Sequence, residues 1–283
     1  MIKVLSPGLY ATIQDAGRSN LASIGVPVSG AMDSFSSSIS NQVLGNKKTA
    51  AVIEITFGGC QFLFESATII CLSGADFSAT LNNQIIPLNT AVEVIENDVL
   101  SFGKRVYGVR TYLAVQGGLQ SEVVLNSRSY FKGITTNWKL KKEQKIKIKN
   151  HFPAKKKTFS LIKTNASLFE RKEIVCYEGP EFDLLSNQQI EQIKHINFSV
   201  SAKNNRMGFQ LKERIENKLP PILTSGVLPG TVQLTPSGTL IVLMRDCQVT
   251  GGYPRVLQLS EASITCLAQK YTNDQFQFLI EDL

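Results

Sequence analysis

Apolar, β-branched runs of four to seven residues recur along the chain, each bounded by glycine, proline, asparagine or a charge. They cover Ala51 to Phe57, Ala67 to Leu72, Ala91 to Ile95 and Thr111 to Val115. After a polar middle come Glu173 to Tyr177, Thr231 to Leu234, Leu240 to Met244, Ile264 to Ala268 and Gln275 to Ile280. Runs of this length with such punctuation predict strands of a sandwich or barrel. Helical spacing is scarce. It predicts helices over Ser34 to Leu44, opened by Asp33, over Ser186 to Lys194, opened by Asp183 or Ser186, and a short one near Ser260 to Ala262. The expected fold is mainly β, in two barrel or sandwich lobes with few short helices.

A lysine-rich stretch separates the two groups of strands, so the lobes are expected at 1–155 and 156–283. Residues 139–157 hold nine lysines against Glu143, a local charge of +8; removing it from the overall +7 leaves −1 for everything else. Without a broad basic footprint, nucleic acid is not the expected partner. The stretch reads as a solvated connector or edge strand, where lysine also opposes sheet-to-sheet association.

At 283 residues and 43% hydrophobic, the chain is long enough to bury a sizeable core. No run of about 18 apolar residues suggests a membrane span, and residues 1–7 lack a secretory h-region, so a cytoplasmic location is expected. Five scattered cysteines with only His151 and His195 beside them predict reduced, buried thiols and no metal site. Cys247 differs from the others only in lying within a polar cluster, and no histidine is near it in sequence.

Two clusters stand apart from ordinary loop composition. Gln14-Asp15-Ala16-Gly17-Arg18 is followed by Gly25-Val26-Pro27-Val28-Ser29-Gly30-Ala31-Met32-Asp33, and far downstream lies Asp246-Cys247-Gln248-Val249-Thr250-Gly251-Gly252-Tyr253-Pro254. Glycines let a backbone approach a ligand closely, and polar side chains between them can converge on it. One shared site for a compact carbonyl compound is the expectation. Gly45-Asn46-Lys47-Lys48-Thr49 lacks the first glycine of a phosphate loop at the required spacing and is set aside.

These clusters carry a resemblance that runs nearly end to end. Together with Pro7-Gly8, Ala50 through Thr56, Gly108 through Gly118, Gly179-Pro180, Asn205-Arg206-Met207-Gly208 and Pro229 through Gln233, the chain resembles the allophanate hydrolase subunit 2 family. That family takes in the C subunits of 5-oxoprolinase, the carboxyltransferase half of urea carboxylase, and a sporulation regulator that antagonises a kinase inhibitor. The resemblance implies a cyclophilin-like C-terminal lobe and a heteromer with the A and B subunits of 5-oxoprolinase, the B partner being kinase-inhibitor-like. It also implies ATP-dependent opening of 5-oxoproline to glutamate, with the nucleotide shared with a partner. The alternatives it leaves are carboxyl transfer from carboxybiotin to urea or a similar small amide, and a regulatory role in binding the kinase-inhibitor-like partner. Biotin is not carried by this chain, which has no carrier lysine between methionines. As a free-standing chain it favours the oxoprolinase reading.

An amide is a poor electrophile, so its activation needs donors on oxygen and stabilisation of developing charge. Arg206, Asp246, Asp15 and Asp33 are the candidate catalytic residues. Guanidinium forks suit anions, and the carboxylates serve as base, as metal ligand or as arginine partner; capping is the plain alternative for Asp33. The candidate substrate-binding set is Gln14, Arg18, Ser29, Glu54, Arg110, Asn205, Gln233, Gln248, Thr250, Gly251, Gly252 and Tyr253. Glutamine amides can pair with another amide, and Tyr253 can stack on a planar one. Gln210, Cys247 and Tyr130 depart from the family pattern and leave the substrate open.

Overall fold

The computed structural model describes residues 1–149 and 167–282. The mainly β reading holds. The chain divides into two compact units, one holding Met1–Arg18 and the chain from Ser29 onward through the first half, the other holding Ser19–Val28 and Ser167–Leu283. Residues 19–28 thus group with the second half, an exchange that a boundary drawn along the sequence does not anticipate. The expected boundary near 155, with His151 and the lysines at 155–157, lies outside the described residues.

The first unit is built on two sheets. Six strands run in the order Lys145–Ile146, Ile2–Pro7, Cys60–Phe64, Val99–Ser101, Thr80–Leu81, Gln84–Ile85. Five run Tyr10–Gln14, Val52–Thr56, Tyr107–Val115, Thr68–Asp76, Val92–Val94. One core joins them, with Ile2, Val4, Phe62 and Phe64 from the first sheet and Ile13, Ile53, Ile55, Leu72 and Leu113 from the second. Each such side chain removed from water contributes about 1.5–3 kcal/mol. Lys145–Ile146 is an edge strand as the lysine pattern predicts, with Lys145 paired to Glu65 at 2.8 Å.

The five-stranded sheet is buried on both faces, and its second face decides the chemistry of this unit. Alternation places Ile13, Ile53, Ile55 and Leu113 toward the core just described, and Thr12, Glu54 and Tyr112 on the opposite face. The helix Ser34–Val43 covers that opposite face through Ala31, Leu44, Val52, Cys71 and Ala114. Asp33 opens the helix as expected, its side chain accepting from Ser36 N at 2.8 Å.

The second unit is a closed seven-stranded barrel in the order Glu173–Glu178, Arg255–Leu259, Thr231–Leu234, Thr239–Leu243, Gly208–Arg214, Phe198–Asn204, Gln275–Ile280. Parallel pairing of Glu173 with Gln277 closes the ring. Phe198, Phe276 and Phe278 fill it, with the Phe278 centroid 5.2 and 5.3 Å from the other two. A capping box at Ser186 and Gln189, rather than Asp183, opens the helix Asn187–His195.

One element reverses its expected type. Ile264 to Ala268 is not a strand but part of the helix Glu261–Ala268, started by Ser260 accepting from Ser263 N at 3.2 Å. A short run buried all round has no amphipathic period to separate strand from helix, and the N-cap decides it.

Candidate functional site

On the covered face of the five-stranded sheet, cross-strand register sets Thr12, Glu54, Tyr112 and Ser73 side by side across four strands. All four are buried, as are Gln14 and Arg110 on the same face. This row grips the backbone of the covering segment. Glu54 Oε2 accepts from Met32 N at 2.8 Å, and Tyr112 Oη accepts from Asp33 N at 2.8 Å. Arg110 Nε stands 4.0 Å from Glu54 Oε1, so a carboxylate and a guanidinium share one dry layer. Burial, then the charges of Glu54 and Asp33, push the Tyr112 hydroxyl well above its ordinary range and keep it neutral. Tyr112 is a site residue that the sequence analysis missed. Its register opposite Glu54 was the available signal.

Ser29 and Gly30, at the head of the same segment, have φ of +57° and +89°. Glycine meets the second without strain; a serine at the first is held there against its preference. A side chain at Gly30 would put its Cβ 3.0 Å from Gly17 N.

Asp15 and Arg18 belong to a different construction in this unit. The Asp15 carboxylate accepts from Gly17 N at 2.8 Å, Ser127 Oγ at 2.6 Å, Ser129 Oγ at 2.7 Å and Arg128 N at 2.6 Å. Arg18 donates to the carbonyls of Val124 at 3.2 Å and Ser129 at 2.5 Å. Both side chains tie the loop at 124–129 to the strand end at Gln14, which is scaffold work.

In the barrel unit Arg206 and Asp246 form a buried bidentate pair, Nε to Oδ2 at 2.7 Å and Nη2 to Oδ1 at 2.9 Å. Asp246 N also donates to Arg206 O at 2.8 Å, so two turns 40 residues apart are closed by backbone and side chain together. Asn205 Oδ1 accepts from Met207 N at 2.7 Å and shapes the turn that presents Arg206. Gln233 is buried, with Nε2 3.4 Å from Tyr253 O, and a Cβ on Gly251 would collide with that nitrogen. Gln248, Thr250 and Tyr253 are exposed, and Gly251 and Gly252 half-buried. A second bidentate pair escaped the sequence analysis: Arg255 binds Glu181 at 2.9 and 2.7 Å and also reaches Gly226 O at 2.9 Å. The Arg255 hydrogen bonds hold the Glu181 carboxyl below its usual range, and Glu181 raises Arg255 in return.

Cys247 is buried among Val227, Leu243 and Ile241. Burial pushes Cys60, Cys71, Cys176 and Cys247 up to about 12. A thiol so far above ordinary pH forms little thiolate and is a poor nucleophile. We expect these four cysteines to resist iodoacetamide at pH 8 in the folded protein and to react fully in denaturant, with mass spectrometry counting the adducts. The thiol favoured in the fold is the neutral one. Its contribution to stability is therefore complete below pH about 9, the range of a free thiol, and is lost as pH rises towards about 12.

Among the described residues no helix is long and apolar enough to cross a membrane. The Asn46 side chain, at the segment set aside as a phosphate loop, bonds Val115 O and Gly117 N, both at 2.8 Å, and so braces a turn rather than cradling a nucleotide.

Comparison with known proteins agrees with this architecture. The family described as "Carboxyltransferase domain, subdomain A and B" matches residues 24–280. The chain is 30% identical over 277 residues to the 5-oxoprolinase C subunit of Escherichia coli (strain K12), covering 95% of this chain and 87% of that protein. It is 42% identical over 130 residues to "Urea amidolyase" of Lachancea kluyveri, which is 46% of this chain and 7% of that one. Among solved structures, that of TTHA0988 superposes with a TM-score of 0.87 at 25% identity, over 98% of this chain. This chain spans only 55% of that one. The K. lactis urea amidolyase gives 0.85 at 28% identity over 99% of this chain and 18% of its own. The chain belongs to the family of carboxyltransferase domains, subdomain A and B.

Proposed function

We propose that this protein is the C subunit of an ATP-dependent 5-oxoprolinase, opening the lactam of 5-oxoproline to glutamate together with the A and B subunits, the latter kinase-inhibitor-like. The observation that carries this reading is 30% identity to a 5-oxoprolinase C subunit over 95% of this chain and 87% of that protein. In the net step the lactam C–N bond breaks, water supplies the hydroxyl of the new carboxylate, and nitrogen takes the proton. Polarising the lactam carbonyl lowers the barrier, because negative charge grows on its oxygen in the transition state. The covered polar face offers what that requires. Arg110 places a guanidinium in a layer shielded from water, and Glu54 and Tyr112 hold residues 31–33 rigidly beside it. Arg206 and Asp246 serve in the barrel unit as a preformed charged pair. ATP is assigned to the assembly, and no step is routed through it on this chain.

The test is reconstitution. Glutamate release from 5-oxoproline is expected to need this chain, both partners and ATP together, and to stop when any one is omitted. No glutamate from the complete mixture would overturn the reading. A second reading, carboxyl transfer to a small amide from a separate biotinylated carrier, has specific support in the 42% identity to a urea amidolyase over 46% of the chain. Inhibition of turnover by avidin together with dependence on bicarbonate would favour it over the first.

A further inference from the structure

Two buried groups in the first unit point to how the proposed lactam is recognised, and the inference rests on that reading. Gln14 is fully buried, and its amide orientation is set by its neighbours. Nε2 donates to Tyr130 O at 3.3 Å and to Thr12 Oγ1 at 3.1 Å, and a main-chain carbonyl can only accept. Its Oε1 is therefore the end left over, a pure acceptor with no partner among the described residues. Ser29 is 1% exposed, and its Oγ likewise has no partner there. The Asp15 O to Ala31 N hydrogen bond, 3.0 Å, ties their two segments together, and the tight approach of Gly30 to Ala16 and Gly17 reinforces it.

A protein rarely leaves an acceptor and a hydroxyl buried without partners, and more rarely holds the serine that carries one at φ +57°. A lactam is held cis by its ring, so its N–H and C=O lie on one edge. That edge is the complement of an acceptor beside a hydroxyl donor. We propose that Gln14 Oε1 accepts the lactam N–H and that Ser29 Oγ donates to its carbonyl oxygen, making this pair the subsite for a small cyclic amide. A lactone, or a lactam methylated on nitrogen, cannot satisfy Gln14 and is rejected because the buried acceptor stays unpaired.

The test uses the full chain, with 2-pyrrolidone and N-methyl-2-pyrrolidone as probes followed by NMR. The first is expected to shift the Gln14 and Ser29 resonances saturably, the second to bind at least about tenfold more weakly. Ser29→Ala is expected to weaken 2-pyrrolidone binding about tenfold without lowering the melting temperature, since a methyl replaces a hydroxyl that had no partner. Equal binding of both probes, no shift at either residue, or a lower melting temperature in Ser29→Ala with binding unchanged would each overturn the subsite. Selective 2-pyrrolidone binding with no glutamate from the reconstituted complex would uphold the subsite and refute the oxoprolinase reading. Glutamate release with no discrimination between the probes would do the reverse.

Discussion

Arg206→Ala is expected to destabilise the barrel by about 3–5 kcal/mol, because it strands the Asp246 carboxylate without its partner. The pair is almost wholly withdrawn from water, with side-chain exposures of 6% and 10%. Solvent therefore cannot take over the stabilisation of the surviving charge. Replacing both residues by apolar ones of similar size, Arg206→Met with Asp246→Leu, should recover most of that loss, since neither charge is then left buried. Urea unfolding followed by far-ultraviolet circular dichroism measures both. If Arg206→Ala unfolds at the wild-type midpoint while the reconstituted enzyme loses turnover, Arg206 acts on the ligand and its pairing with Asp246 is incidental to the fold.

Glu54→Ala carries the second large effect. It removes the acceptor of Met32 N–H and leaves the Arg110 guanidinium in a layer where both side chains are below 5% exposure, again at a cost of about 3–5 kcal/mol. Glu54→Gln keeps the volume and one acceptor oxygen, so its stability loss should be clearly smaller. Its effect on turnover should nevertheless be about 100-fold, the scale of losing one charged element of a preorganised site. Denaturant midpoints and glutamate release, read on the same preparations, separate the two effects. Full turnover in Glu54→Gln would mean that the charge at this position is not used.

Much of the fold was legible in the chain because its signals are local. Short β-branched runs between glycines and prolines read correctly as strands, and Asp33 and Ser186 read correctly as helix starts, because a cap needs only its own first turn. Ile264 to Ala268 was misread because complete burial removes the contrast on which periodicity depends. The site was legible in part. Its polar residues could be named from their clusters, but their work could not. Asp15 looked like a candidate base and instead accepts four hydrogen bonds from its surroundings. Tyr112 looked like one more aromatic in a strand and instead holds Asp33 N.

By itself, then, the sequence determined the class of fold, the presence of two polar clusters and the family, since each is written in residue types at short spacing. Tertiary structure alone decided which face of the five-stranded sheet is charged and what covers it, because register aligns Thr12, Glu54, Tyr112 and Ser73 from strands far apart in the chain. It alone joined Arg206 to Asp246 across 40 residues and turned the free end of Gln14 into a buried acceptor. Hydrogen bonds and buried charges depend on distances of a few tenths of an ångström, and only the folded chain sets distances that fine.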